Sequence, residues 1–451
     1  MRLLILAPEY GATGGGIATF YRNLAPALED LAVEIRVVEG SAFHAGSRSQ
    51  HNVGGVSVET LEHDRLQKWW DRFPAFAAVP GLRRHLAAAW AIWEQADFGA
   101  GADIVEATDW GLLFAPPVLD ARTPVVVQAH GSVGQIGVHD PVNGEAAQSA
   151  LERLIESAAL SAPVRLQTYS RANADFWRSE AGAHVEMIRP ALAIRETMPV
   201  TAPSDRGLVF GRIQRWKGPD VVCEALRLLG DKGPNIDWFG RDTTFGRRGT
   251  STGQNLARKF PDAWGTRVTP HAPISSEEVR QAQAGALFNL VPSTWDVFNF
   301  TAAEALASGR PTVVSTGAGA SELVVDGENG FVFPAGDGSA LAGVIERILA
   351  TSPARLAEIG GAGRDTVRRE LDPRAIATAR VAAYQTAIDA FRTSPPTPVG
   401  GWLGEICRPG ADGPGDGAFL DQVPSRTLAA HLVQRVRARL GSTLSKASGR
   451  Q

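Results

Sequence analysis

Two carboxylates, two cations and a run of three glycines carry most of the chemistry this sequence offers. Asp296 and Glu304 lie eight residues apart in TWDVFNFTAAEALASGRP. The first is in a loop, the second on a helix read from about Thr301 to Ser308 and stopped by Gly309. Thr301-x-x-Glu304 is also a capping-box pattern, in which Glu304 would only return a bond to the backbone. Such a helix start still aims the N–H groups from Phe298 to Thr301, those of Phe300 and Thr301 included, at an anion. Arg212 and Lys217 bracket the loop RIQRWK between Gly211 and Gly218, after the apolar strand GLVF. Two fixed charges at one strand end suit a diphosphate; the alternative is a pair of solvated loop cations. Gly14, Gly15 and Gly16 sit between the first strand and the first helix, where backbone can approach a phosphate closely. No third glycine follows near Thr19 and no Gly-Lys-Ser/Thr ending occurs, so neither common nucleotide fingerprint is met. The triplet reads as a phosphate contact or as a plain tight turn.

These groups need a frame, and the chain has length for one. At roughly 150 residues per domain, 451 residues allow two or three domains. Two segments repeat one pattern of apolar strand, glycine loop and amphipathic helix: LLILAP with Ile17, Phe20, Tyr21, Leu24 and Leu28, and GLVFGR with Val222, Ala225, Leu226 and Leu229. Each can open a doubly wound parallel sheet whose ligands sit beyond the carboxyl ends of the strands, so two such sheets predict a cleft. Further strands are expected at Glu34–Val38, Ile104–Ala107, Val125–Ala129, Ile236–Gly240, Ala286–Val291 and Thr312–Ser315. Gly240, closing one of them, is counted as a further candidate for ligand contact. The proline-bearing stretch from Met187 to Gly207 is read as the interdomain connection. Asp372-Pro373 opens a long helix to about Phe391.

With 45 basic and 48 acidic side chains the formal charge is 45 − 48 = −3, which gives no global field for nucleic acid. Cys223 and Cys407 are too few for a disulfide framework or a cysteine-built metal site, and a cytoplasmic setting is expected. The apolar run at the N-terminus is shorter than a signal-peptide core, and no stretch approaches a membrane span.

In order along the chain, GGG at 14–16, VEATDWG at 105–111, QAHG at 128–131, GRIQRWKG at 211–218, the acid–seven residues–Glu element at 296–304 and DGENGFVF at 326–333 resemble the retaining glycosyltransferases of the GT-B fold, family four, a group that includes bacterial polysaccharide and glycoconjugate enzymes. The resemblance covers about residues 1–390. It implies an α/β fold of two Rossmann-like parallel-sheet domains facing across a cleft, with a C-terminal helical extension. The acceptor-binding domain would span 1–198 and the nucleotide-sugar-binding domain 199–372. The helix 373–392 would pack back on the first domain. Beyond the likeness, the Pro and Gly content from Thr393 to Gly417 reads as an irregular tether or surface strap, so that 393–451 is a Pro/Gly-rich tether plus a basic amphipathic helix. In this likeness Arg212 and Lys217 hold the donor diphosphate, with Gly15 and Gly16 as backbone contacts. Glu304 meets the nucleotide ribose, Asp296 the donor sugar, and His130 matches a histidine beside the transferred sugar. The family usually carries Glu where this chain has Asp296, and often Pro-Asn-Gly where it has Pro190-Ala191-Leu192.

The expected reaction moves a sugar with retention from a nucleotide diphosphate sugar to a glycan, lipid-linked or small-molecule acceptor. No Asp-x-Asp occurs, so no metal and no cofactor is expected, the cations taking up charge on the leaving diphosphate. The competing readings are a glycoside hydrolase with paired carboxylates, a sugar-nucleotide epimerase, and a non-catalytic subunit of a polysaccharide assembly system. Trp69, Trp70, Phe73, Phe76, Trp90 and Trp93, with Arg72, Arg83 and Arg84, form either an acceptor-facing or membrane-touching region or a buried core. Past the tether, Leu428, Leu432, Val436 and Leu440 make one stripe beside Arg435, Arg437 and Arg439. That helix is open to three fates: docking on the core, dimerising, or a peripheral contact with the inner face of a membrane. Chemistry is expected not to need anything beyond Ser394.

Overall fold

A computed structural model describes residues 1–11, 15–47, 49–77, 79–140, 146–162, 164–194, 204–245, 249–396, 399, 401–410, 425, 429 and 432–433. Gly14, most of the basic amphipathic stretch and residues 195–203 of the connection lie outside them. The first half holds β1 (Arg2–Ala7), β2 (Glu34–Glu39), β3 (Ser49–Val53), β4 (Val56–Thr60), β5 (Ile104–Thr108), β6 (Val125–Gln128), β7 (Arg165–Thr168) and β8 (His184–Met187). They form one sheet in the order β3-β4-β2-β1-β5-β6-β7-β8. All neighbours are parallel except the β3–β4 pair. The second half holds β9 (Gly207–Phe210), β10 (Ile236–Phe239), a small hairpin of β11 (Thr244–Phe245) and β12 (Thr250–Ser251), β13 (Val268–His271), β14 (Phe288–Val291), β15 (Thr312–Ser315) and β16 (Phe331–Phe333). Its main sheet runs β13-β10-β9-β14-β15-β16, all parallel.

The helices are α1 (Gly16–Glu29), α2 (His63–Trp70), α3 (Pro80–Gln95), α4 (Ala115–Asp120), α5 (Val133–His139), α6 (Ala146–Leu160), α7 (Arg171–Ala181), α8 (Pro219–Leu229), α9 (Thr252–Lys259), α10 (Ser276–Gly285), α11 (Phe300–Ala307), α12 (Gly338–Ala350), α13 (Pro353–Glu370), α14 (Pro373–Thr393) and α15 (Gly401–Cys407). Helices on both faces bury the strands on both sides, which is why β1 and β6 read as near-continuous apolar runs. In each sheet the chain order reverses at one place, between β1 and β5 and between β9 and β14. Open α/β sheets bind ligands at such switch points, beyond the carboxyl ends of the strands.

The halves are tied together by several contacts. α14, reached from the second half, packs on α1 of the first. Its Arg380, fully buried, donates to Glu106 of β5 at 2.7 Å and to Gln128 of β6 at 2.8 Å. Ser170 donates to the Val297 carbonyl across the halves at 2.9 Å. Glu322 accepts from the Arg171 N–H at 2.7 Å, at the start of α7.

Two sequence readings change here. Trp69, Phe73, Phe76, Trp90 and Trp93 are core side chains, with Trp69 stacked on Trp90 at 5.5 Å. Arginines lie over two of the rings, Arg72 over Trp69 and Arg83 over Trp70. The region is therefore the core reading, and Phe43, 71% exposed, is the large aromatic left open beside it. The tether is also not irregular throughout: α15 buries Leu403, Ile406 and Cys407 among the residues of α3, α4 and α6. The Trp90 indole N–H donates to the Cys407 carbonyl at 2.7 Å. Removing everything after Ser394 would uncover this apolar surface. We expect truncation after Ser394 to lower the melting temperature by several degrees, as differential scanning calorimetry would read.

Candidate active site

The two switch points face one another, and the loops leaving them bring the sequence candidates together. After β9 the chain passes Gly211 and Arg212, then turns through Arg215–Lys217 into α8. That turn needs Gly218: its φ is +75°, and a Cβ there would stand 1.9 Å from the Pro292 carbonyl oxygen. Gly240, at the end of β10, is required for a similar reason, since a Cβ would stand 1.9 Å from the Gly211 oxygen. Its missing side chain lets the β10 end press against the Arg212 loop.

After β14, Thr294 donates its N–H to the Trp216 carbonyl at 2.8 Å and Asp296 donates its own to Gly317 at 2.8 Å. These bonds fix Asp296 against the β9 loop, where its carboxylate meets the Lys217 ammonium at 2.5 Å and accepts from Asn299 at 3.0 Å. Asn299 takes a positive φ of 79° and its side chain caps α11 by accepting from the Ala302 N–H at 3.1 Å. The capping box read at Thr301 and Glu304 therefore does not form. The cap lies two residues earlier, and the N–H groups of Phe300 and Thr301 have no acceptor among the described residues.

The Glu304 carboxyl is left without a hydrogen bond to any described residue. Enclosure pushes its carboxyl up to about 7, opposed by the more distant charges of Arg280 and Arg22. A carboxyl whose pKa is raised on folding holds a proton that the unfolded chain has released. Its contribution to stability is thus present below the unfolded value near 4.5 and is lost as pH rises through about 7. Glu304→Gln should consequently gain on the wild type in thermal melts between pH 5 and pH 8, and a constant difference would show that Glu304 is ionised throughout.

Arg212 has no hydrogen bond or ion pair among the described residues. Water reaches its guanidinium, yet the cleft walls displace enough solvent to lower its pKa. Asp296 acts against that shift and Arg241 adds to it. A guanidinium starts so high that it stays cationic at neutral pH.

From the first half, β6 delivers His130. Its backbone N–H and that of Gly131 donate to the buried Asp109 carboxylate at 2.8 and 3.1 Å. Burial raises Asp109 to about 7, against the pull of these bonds. The His130 ring lies 2.7 Å from the Tyr169 hydroxyl through Nδ1 and packs edge-on against Phe20. Burial, with the Arg380 charge beyond Phe20, holds the imidazole well below its ordinary pKa, so it is neutral. At the start of α1, Gly15 and Gly16 present their backbone to the cleft. The Gly15 N–H is taken by the Glu9 carboxylate at 2.5 Å, and Gly16 has nothing near the place of a side chain.

Comparison with known proteins fits this geometry. Residues 205–351 match the family model described as glycosyl transferases group 1. A D-inositol 3-phosphate glycosyltransferase of an Arthrobacter strain is 29% identical over 242 residues, covering 51% of this chain and 55% of that protein. This chain thus spans about half the length of the first curated relatives it matches. Sucrose-phosphate synthase from Thermosynechococcus elongatus superposes with a TM-score of 0.67 at 20% identity, covering 86% of this chain and all of the other. The Anabaena protein HepE in complex with UDP-glucose gives 0.61 at 18%, with the same coverage.

The chain has the GT-B fold.

In this GT-B cleft, Arg212, Lys217, Asp296, Phe300, Thr301 and Glu304 come from the second half, and Gly15, Gly16 and His130 from the first. Gly240 stands apart, as a packing residue behind the Arg212 loop. Sequence reading missed Asn299 and Tyr169, which hold Asp296 and His130. It also missed Asp109 as the anchor of the His130 loop, although VEATDWG contains it. The available signal was a buried acid at a strand end. Three rings at the mouth were missed as well: His139 lies flat on Trp295 at 4.3 Å, and Trp295 on Trp216 at 4.9 Å.

Proposed function

We propose that the protein is a retaining glycosyltransferase that takes a sugar from a nucleotide diphosphate sugar and passes it to an acceptor hydroxyl held by the first half. The observation that carries this reading is the meeting, at the second sheet's switch point, of Arg212 and the first N–H groups of α11, both without a partner among the described residues, with the Lys217–Asp296 pair. The donor's diphosphate would lie between Arg212, Lys217 and those N–H groups, with the Gly15–Gly16 backbone closing over it. Glu304 of α11, whose carboxyl has no hydrogen bond among the described residues, would accept from the ribose hydroxyls. Asp296 and the neutral His130 then flank the sugar from opposite halves.

In the transfer step the bond from the anomeric carbon to the phosphate oxygen breaks, and that oxygen takes the electron pair. The acceptor oxygen bonds to the same face of the anomeric carbon, and its proton goes to the departing phosphate. Negative charge grows on the diphosphate as positive charge grows on the sugar. Arg212, Lys217 and the helix N–H groups stabilise the first, and Asp296 the second. With that charge met by side chains and backbone, turnover is expected to be metal-independent and to survive EDTA. Similarity to proteins named glycosyltransferases supports transfer over epimerisation or a scaffold role.

The test has two parts. Thermal stabilisation by UDP, GDP and ADP would identify the nucleotide, and sugar release from the matching donor would show turnover. Asp296→Asn should then keep nucleotide affinity near wild type by calorimetry while lowering transfer about 10²-fold, because it removes charge facing a sugar that becomes cationic. A wild type that binds donor but never passes its sugar to an acceptor or to water, with Asp296→Asn indistinguishable from it, would favour a non-catalytic subunit.

A further inference from the structure

The groups proposed to face the sugar come from different halves, so the gap between the halves must be set by contacts at the mouth as well as at the hinge. The hinge side is held by Ser170 to Val297, Glu322 to α7 and the α14 crossing. At the mouth, α5 of the first half ends at His139, whose ring lies 4.3 Å from the Trp295 indole with only 6° between the planes. The other face of Trp295 meets Trp216 at 4.9 Å and 17°. Lys217 stands 5.4 Å over the Trp216 ring while pairing with Asp296, the residue after Trp295. Beside the stack, Gln214 of the second half donates to Asp140 of the first at 3.2 Å. A Cβ on Gly131, next to His130, would come within 3.3 Å of the Trp295 ring, so the His130 loop rests on the same indole.

We infer that His139 is a positioning residue: its stack on Trp295 latches the two halves together and sets the distance between His130 on one side and the Lys217–Asp296 pair on the other. Parallel ring pairs of this kind contribute modestly each, but a latch need only shift the balance between open and closed cleft. Within the second half Trp216 supports the Trp295 ring, and His139 adds the contact that reaches it from the first half. Thr294 and Asp296 are already fixed by their own backbone bonds. A neutral imidazole suits the flat stack, and burial together with Arg153 lowers His139 to about 4.

The kinetic arm of the test rests on the proposed transfer; the structural arm does not. His139→Ala and His139→Phe would be compared with wild type in the full chain. His139→Ala should shift tryptophan emission to the red, enlarge the radius of gyration in small-angle scattering, and lower kcat about three- to tenfold while UDP affinity and melting temperature stay near wild type. His139→Phe, which keeps a flat ring, should restore all of these. Unchanged emission and scattering in His139→Ala would overturn the latch, as would a Phe variant that behaves like Ala. Loss of folding or of nucleotide binding in His139→Ala would also overturn it, because a positioning residue leaves both intact. Should the wild type transfer no sugar, the transfer reading fails, while emission and scattering still judge the latch.

Discussion

Arg212→Ala should lower turnover about 10²- to 10³-fold with little change in the melting temperature. The size follows from what the guanidinium has to do. Arg212 is committed to no partner among the described residues, so its charge is available to a leaving diphosphate at no cost in native bonds. Removing it takes away stabilisation that grows during bond breaking, so the loss should fall on kcat at least as strongly as on KM. Lys217→Ala should cost a similar factor, for a different structural reason. Lys217 is paired with Asp296 at 2.5 Å, so the variant also leaves Asp296 with Asn299 as its remaining side-chain donor. The effects of Lys217→Ala and Asp296→Asn should therefore be strongly non-additive, whereas Arg212→Ala should combine more nearly additively with Asp296→Asn. Steady-state kinetics on the three single and two double variants would check this. Wild-type turnover in Arg212→Ala would remove the diphosphate site from where it has been placed.

What could be read from the residues was whatever depends on local pattern. Apolar runs such as LLILA and FNLV mark buried parallel strands because both faces are covered. Glycines beside Arg212 and Lys217 mark a loop that backbone must approach closely, and Gly218 meets that demand with its positive φ. Pattern failed where the same spacing serves two structures. Thr301-x-x-Glu304 matches a capping box, but Asn299 accepts the left-handed conformation and starts the helix with its own side chain, which releases Glu304. The tryptophans of α2 and α3 fit a surface as well as a core, and only their mutual stacking under the arginines distinguishes these. The rest was invisible because it joins distant segments. Nothing around His139 announces Trp295, 156 positions later by number (295 − 139). Nothing in α14 announces a partner in β5.

That last pair should govern the stability of the whole assembly. Arg380 and Glu106 are both inaccessible to solvent, and the Tyr384 hydroxyl donates to the same carboxylate at 2.5 Å. Burial works against the Arg380 charge, yet Glu106 and Tyr384 hold its pKa above the ordinary value. The net worth of such a pair is small, since two desolvation costs offset the attraction, but the loss of one member strands the other in a dry interior. Arg380→Met should accordingly destabilise the protein by about 3–5 kcal/mol, far more than its lost packing, because the buried Glu106 carboxyl loses its cation and keeps only Tyr384 as a donor among the described residues. Adding Glu106→Leu should recover most of that loss, as an apolar pair of similar volume carries no stranded charge. Because α14 is the strap by which the second half is fastened to β5 and α1, the single variant should also unfasten the halves at the hinge side. Urea unfolding followed by tryptophan emission would measure both effects. If Arg380→Met costs no more than about 1 kcal/mol, or if the double variant is as unstable as the single, the strap is held by its apolar face alone.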